Sequence, residues 1–177
     1  MQESQMSNNS NKNDVPSSKR SKKHKREKSK ATVPIDLEFR QEQLLDTNVK
    51  YEGQWIPSTM IREGRGRQIW KDGSLYEGWF KSDKAHGRGR LIHADGDVYE
   101  GLWMNDMAHG YGVYTHSDGA RYEGDWHYDK QHGNGKETWP DGSSYDGQYV
   151  NGVKNGQGLF KWDDGNTYYG EFQDNNI

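Results

Sequence analysis

"YEGWF" (residues 76–80) returns as "YEGLW" at 99–103 and "YEGDW" at 122–126. It is foreshadowed by "YEGQW" at 51–55 and loosened to "YDGQY" at 145–149 and "YYGEF" at 168–172. The opening Tyr therefore stands at 51, 76, 99, 122, 145 and 168, a spacing of 25 and then of 23 four times. Other features keep the same beat. A Gly-x-Gly pair falls at 64/66, 87/89, 110/112, 133/135 and 156/158, and an Asp-Gly pair at 72/73, 95/96, 118/119, 141/142 and 164/165. Of the 22 glycines, 21 hold these repeat positions and only Gly152 is extra. A fixed period of this length marks a repeat array, each copy being one supersecondary unit stacked on the next.

Within one copy, strand alternation puts Tyr76, Gly78 and Phe80 on one face and Glu77 and Trp79 on the other. A loop "KSDKAH" follows, then "GRGRLIH" as a second strand, and "ADG" turns the chain, Asp-Gly supplying the positive φ of a tight hairpin. Each copy is thus a β-hairpin, and the copies form one antiparallel meander. Glycine weakens a strand but lets a large neighbour lie flat over the backbone. The rings at 55, 80, 103, 126, 149 and 172, and Trp70, His93, His116, Trp139 and Trp162, are expected to use that space.

The totals agree with a thin core built from rings. Only 29% of the 177 residues are apolar, against seven Trp and eleven Tyr, and a globular domain ordinarily carries about 45–50%. The absence of Cys removes disulfides, thiol catalysis and Cys-based zinc sites.

Three segments follow. Residues 1–33 hold nine Lys/Arg against three acids, no aromatic and no periodicity, which reads as a disordered basic tail. Residues 34–50, "PIDLEFRQEQLLDTNVK", read either as a short helix capping the array, with Leu37, Leu44 and Leu45 near one face, or as a linker. Residues 51–177 are the array, about five repeats plus the first strand of a sixth, and carry the acidic balance of the chain.

The phrase "YEGxW", followed by "GxG" and "DG" on a 23-residue beat, resembles the MORN repeat, over residues 51–177. The resemblance implies an elongated, twisted, single-layer sheet of hairpins. It also implies an assembly and docking module of the kind found in axonemal and radial-spoke proteins, junction-forming membrane scaffolds and protist cortical proteins. In some family members the repeats precede a phosphoinositide-kinase or SET-methyltransferase domain; no such domain is expected within these residues, whose repeats occupy 51–177. The sixth copy departs from the pattern, with Tyr169 in the acidic position and no second strand.

No Ser/His/Asp set, phosphate loop or Cys nucleophile is legible, so the expectation is a non-enzyme without cofactor or metal. His86, His109 and His132 are equivalent positions two strands apart, roughly 9.5 Å, too far to share an ion. Glu52, Glu77, Glu100, Glu123 and Asp146 make a row of acids along one face, which would repel anionic lipid from the repeats. Arg62, Arg65, Arg67, Arg88 and Arg90 form a local basic cluster that fits either a solvated, salt-bridged face or an acidic partner.

The expected partners are proteins, cytoskeletal or ciliary components first. The expected docking surface is an aromatic groove made by Trp55, Tyr76, Phe80, Tyr99, Trp103, Tyr122, Trp126, Tyr145, Tyr149 and Phe172, or the open sheet edge, either of which could also pair two copies as a homodimer. The basic run Lys19, Arg20, Lys22, Lys23, Lys25, Arg26, Lys28 and Lys30 suits anionic phospholipid, acidic protein tails or an import receptor; a nucleic-acid role is disfavoured. Nothing in the chain reads as a membrane span or secretion signal, so an intracellular site is expected: cytoplasm, with cilium, cytoskeleton or cortex foremost and the nucleus as the alternative.

Overall fold

The computed structural model describes residues 36–45 and 48–177. The expected basic tail, with Lys19, Arg20, Lys22, Lys23, Lys25, Arg26, Lys28 and Lys30, lies outside the described residues. Twelve strands run in chain order as one antiparallel sheet: β1 (Glu38–Leu44), β2 (Lys50–Trp55), β3 (Arg62–Ile69), β4 (Leu75–Lys81), β5 (Lys84–Ile92), β6 (Val98–Met104), β7 (Met107–Thr115), β8 (Arg121–His127), β9 (Lys130–Thr138), β10 (Ser144–Val150), β11 (Val153–Lys161) and β12 (Thr167–Phe172). The all-β, single-layer meander expected from the alternation is what forms.

Two expectations are corrected. The segment read as a helix or linker is strand β1, which pairs with β2 from Glu38↔Trp55 to Leu44↔Lys50. It lays Arg40 over the Trp55 ring at 5.1 Å and packs Leu45 on the core, while Leu44 faces solvent. An unpaired β2 edge bonding with backbone overrides the weak helical spacing of three leucines.

The turns are exchanged. "KSDKAH" is not a loop: β4 runs to Lys81 and β5 begins at Lys84, so only Ser82 and Asp83 turn the chain, at φ 49° and 68°. Two residues of positive φ in succession match the tightest hairpin turn, whose twist suits the flanking strands. The Asp-Gly pairs instead sit inside five-residue turns such as His93–Asp97, closed by His93 N–H donating to Asp97 O at 2.8 Å and by Gly96 N–H donating to His93 O at 3.0 Å. There only Gly96, at φ 96°, takes the left-handed region.

A second register device recurs in each hairpin. Between Gly78↔Gly89 and Phe80↔Ala85, β5 carries extra residues opposite Trp79, and Gly87 bends through φ 82°. Such a bulge kinks and twists the strand. Between bulges the register is unbroken, so the glycine at the centre of each strand pairs with the next, from Gly53↔Gly66 and Gly66↔Gly78 to Gly147↔Gly158 and Gly158↔Gly170. A line of glycines thus crosses the sheet from β2 to β12.

Candidate functional site

The inner face is a closed system. Each phrase-opening Tyr lies along its own strand over the glycine line: a Cβ on Gly112 would meet the Tyr99 ring, and one on Gly135 the Tyr122 ring. The phenol then donates to the carbonyl three residues on. Tyr51 reaches Gln54 O at 3.1 Å, Tyr76 reaches Trp79 O at 3.0 Å, Tyr99 reaches Leu102 O at 2.8 Å and Tyr122 reaches Asp125 O at 2.9 Å. The tyrosines, rather than the rings at 55, 80, 103, 126, 149 and 172 or the turn residues Trp70, His93, His116, Trp139 and Trp162, are therefore what the glycines accommodate.

From Phe80 onward the second ring of each phrase stands edge-on between two tyrosines, and Trp55 meets Tyr51 alone. Tyr76 meets Phe80 at 5.2 Å and Trp103 at 5.2 Å; Tyr99 meets Trp103 at 5.0 Å and Trp126 at 5.3 Å; Tyr145 meets Tyr149 at 5.3 Å and Phe172 at 4.9 Å. Planes cross near the perpendicular, 85–88° in the first four, the edge-to-face geometry that the ring quadrupole favours. Nine of the ten rings expected to line a docking groove are buried: Trp55, Tyr76, Phe80, Tyr99, Trp103, Tyr122, Tyr145, Tyr149 and Phe172; Trp126 is half-buried. The expected groove is a core, because each ring's surface is covered by its neighbours.

One repeated position closes this row. Arg62, Ala85, Ala108, Gln131 and Lys154 lie opposite Trp55, Phe80, Trp103, Trp126 and Tyr149. Alanines cover the middle. At the start, Arg62 stands 5.1 Å over Phe80; at the end, Lys154 stands 5.1 Å over Tyr145 and pairs with Glu137 at 2.7 Å. Cations above ring faces add an electrostatic attraction at the two ends. Burial raises the pKa values of Tyr51, Tyr76, Tyr99, Tyr122, Tyr145 and Tyr149, that of Tyr51 to about 12.

Successive hairpins are clamped at both edges of the sheet. The second residue of each tight turn reaches back one repeat: Asp106 accepts from Ala85 N–H at 2.7 Å and Asp129 from Ala108 N–H at 2.7 Å. Asn175 does the same for Lys154 N–H at 2.8 Å. The extra Gly152 fills this positive-φ position in its own turn and keeps only the backbone bond to Gln131 O, at 2.8 Å. On the opposite edge Asp97 accepts from Ser117 N–H at 2.9 Å and from the Tyr114 hydroxyl at 2.8 Å, which hold its carboxyl down to about 2.

The outer face is open. The row of acids alternates there with bases across the register, Glu52↔Arg67↔Glu77↔Arg90↔Glu100, and again Glu123↔Lys136↔Asp146. It is therefore not the uniformly negative stripe that spacing alone implied. Beside it, Trp79 and Tyr111 are about half exposed, and Arg65 stacks on the Trp79 ring at 5.6 Å.

His86 and His109 carry buried Nδ1 atoms without hydrogen-bond partners. His127, off the repeat beat, stands between His109 and His132 with ring centroids 5.2 Å from each. Among the described residues no group of three His, Cys, Asp or Glu side chains is placed to hold a metal ion, and no helix is long and apolar enough to cross a membrane.

The MORN repeat model matches residues 61–75, 76–98, 99–121, 122–144 and 145–167. The chain belongs to the MORN repeat family. Four of the five matched copies open on the tyrosines that lie over the glycine line. A comparison with curated proteins returned no match. Among solved structures the chain is similar to the TCP10 domain of Danio rerio CPAP, at 13% identity over 82% of each chain, with a TM-score of 0.28. It is also similar to the SAS-4 (dCPAP) TCP domain of Drosophila melanogaster, solved in complex with a proline-rich motif of Ana2 (dSTIL), at 9% identity over 82% of this chain and 96% of that one, with a TM-score of 0.28. MORN membership and the one-layer sheet suggest a protein-interaction scaffold.

Proposed function

We propose that this MORN array is a non-enzymatic scaffold that docks protein partners in a cytoskeletal, ciliary or cortical assembly. The observation that supports it is the division of the sheet. The ring row holds the array together on one face, and the other face and the outer edges of β1 and β12 offer surface with no partner among the described residues. Repeat arrays act through extended surfaces of this sort. The rings Trp103 and Trp126 then support docking by holding the hairpins together, and a partner meets the outer face or an edge. The β12 edge, with Tyr169 exposed, is open to a second copy.

The basic run at residues 19–30 supports a second role, an electrostatic address for anionic lipid or acidic tails. Localisation separates the two. A tagged full-length chain and one lacking residues 1–33 are expected on the same cytoskeletal or ciliary structure. A shortened chain that floods the cytosol while the full chain reaches a membrane or the nucleus assigns the address to the tail instead.

A further inference from the structure

The residue three places after each phrase-opening Tyr recurs in every repeat but varies in chemistry: Gln54, Trp79, Leu102, Asp125, Gln148 and Glu171. In the first five repeats its side chain lies against the bulge glycine of the following strand, as Trp79 does at Gly87 and Leu102 at Gly110. Gln54, Asp125 and Gln148 accept there from the backbone N–H of Arg65, Asn134 and Gln157, at 2.8, 3.2 and 2.8 Å; Trp79 and Leu102 keep the same bulge without that bond, so the fold does not require them. Only in the second and third repeats is it apolar, and there Trp79 and Leu102 are 45% and 38% exposed.

Trp79 sits between two arginines. Arg65 is its register partner on β3, and Arg88 lies in the strand opposite, on β5. Arg67 and Arg90, one row over, alternate with Glu52, Glu77 and Glu100. Arg65 and Arg88 have no such neighbours, and no ion pair among the described residues includes either of them. Beneath Trp79 opens a cleft of about 510 Å³ walled by Leu37, Phe80 and His86. It adjoins a trough of about 1370 Å³ that runs along the outer face from Phe39 on β1 to Arg121 on β8. Seven strand spacings make this roughly 33 Å.

We propose that this surface is the docking site of an extended acidic segment of a protein partner, which seats one aliphatic or aromatic side chain in the cleft beside Trp79 and places carboxylates on Arg65 and Arg88. The proposal rests on the scaffold reading and names its surface. Half-exposed Trp and unpaired Arg are the residue types that dominate binding energy at protein interfaces. A guanidinium takes a carboxylate through two parallel hydrogen bonds. A broad anionic lipid surface would press its charge on Glu52, Glu77 and Glu100 as well, whereas a narrow segment follows the Arg65–Trp79–Arg88 line. A second copy of this chain brings acids at Asp125 and Glu171 but no apolar side chain between them on that row, only Asn134, Gln148 and Gln157.

The test uses the full-length chain and a displayed library of random segments of about twelve residues, roughly 40 Å when extended. Selected segments are synthesised with a fluorophore and titrated by anisotropy. The expected winners carry Asp or Glu flanking one large apolar residue and bind more weakly as salt rises. Trp79→Ala, Arg65→Glu and Arg88→Glu should each weaken them at least about tenfold, while Gln148→Ala leaves affinity unchanged and all four variants keep a cooperative melt.

Segments that bind equally well to all four variants overturn this site and leave the scaffold reading standing. A selection that yields no binding segment overturns the site outright. So does phosphatidylserine-vesicle binding or concentration-dependent dimerisation that Arg88→Glu abolishes, since the surface then belongs to lipid or to a second copy. Should Trp79→Ala fail to fold, the two charge reversals decide alone.

Discussion

The two faces of this sheet share a backbone and differ in what varies. On the inner face the same chemistry recurs, because each Tyr ring from Tyr51 to Tyr145 touches a glycine on its own strand, a glycine on the next, and two edge-on rings. A change at any of these positions is felt by the others. On the outer face the equivalent positions hold Gln, Trp, Leu, Asp, Gln and Glu, the first five against a bulge glycine of the following strand. Periodic residues make the array; the aperiodic ones displayed on it distinguish one repeat from another. The same division explains why an acid-rich array carries an arginine-rich patch at one end, since nothing in the packing ties outer charges to the beat.

The comparison breaks first if the inner face is not the core. Tyr99→Ala removes a ring that contacts Trp103 and Trp126 and caps Leu102 O. A loss of about 3–5 kcal/mol is expected, read as a lower urea midpoint for the whole array. Gly112→Val drives a side chain into the same ring from below and should cost about 1–3 kcal/mol. An unchanged urea midpoint in both variants would mean that the rings are decoration on a sheet held by its backbone.

The tyrosines sharpen the comparison through pH. Tyr51 titrates near 12 in the folded chain, against about 10 when unfolded. A raised folded pKa means that the stabilisation is complete below about pH 10 and is lost as pH rises through 12. Phenolate absorbance should therefore appear together with unfolding for the inner tyrosines. Ionisation of Tyr51, Tyr76, Tyr99 and Tyr122 without loss of strand signal would contradict a closed inner face.

The turn clamps lie between the two faces in expected effect. Asp106→Ala removes the bond to Ala85 N–H and puts a Cβ at φ 70° without a compensating side chain. About 2 kcal/mol is expected, and about 1 kcal/mol for Asp106→Gly, which keeps the conformation and loses only the bond. Asp106→Asn should behave as the parent, since Asn175 performs the same role against Lys154. A Gly variant as stable as the parent would show that the backbone alone joins the repeats.

How much of this was legible depended on whether a feature is written within one strand or between two. The hairpin repeat, the meander and the identity of the ring row were carried by period and alternation, which need no pairing partner. The alternation of Glu77 with Arg67 and Arg90 was invisible, because it exists only once β4 is set in register between β3 and β5. The tight turns were misplaced for a similar reason. Ser82-Asp83 lacks glycine, so its positive φ comes from the strand bonds on either side and from Asp83 accepting from Arg62 N–H at 2.8 Å. Asp83, Asp106 and Asp129 do recur every 23 residues, and that beat was the available signal. Strand β1 had none, since Glu38–Leu44 shares no phrase with the repeats and is held by the edge it covers. A thin core of rings was expected, but how completely it closes was hidden in the same way: that no groove is left shows only once each ring is seen to cover the next.

The smallest effect is expected where the outer row is most regular. Arg90 and Glu100 approach to 3.9 Å, with side chains 50% and 73% exposed. Water screens such a pair and ordering two long side chains opposes it, so Arg90→Gln and Glu100→Gln should each shift stability by no more than about 0.5 kcal/mol. Their double-mutant cycle should show a coupling no larger than that. If the coupling exceeds about 1 kcal/mol, the alternating row is a structural ladder. The outer face would then have a periodic requirement of its own. A null coupling leaves those charges free to vary with the partner, which is what separates this face from the one built on tyrosine and glycine.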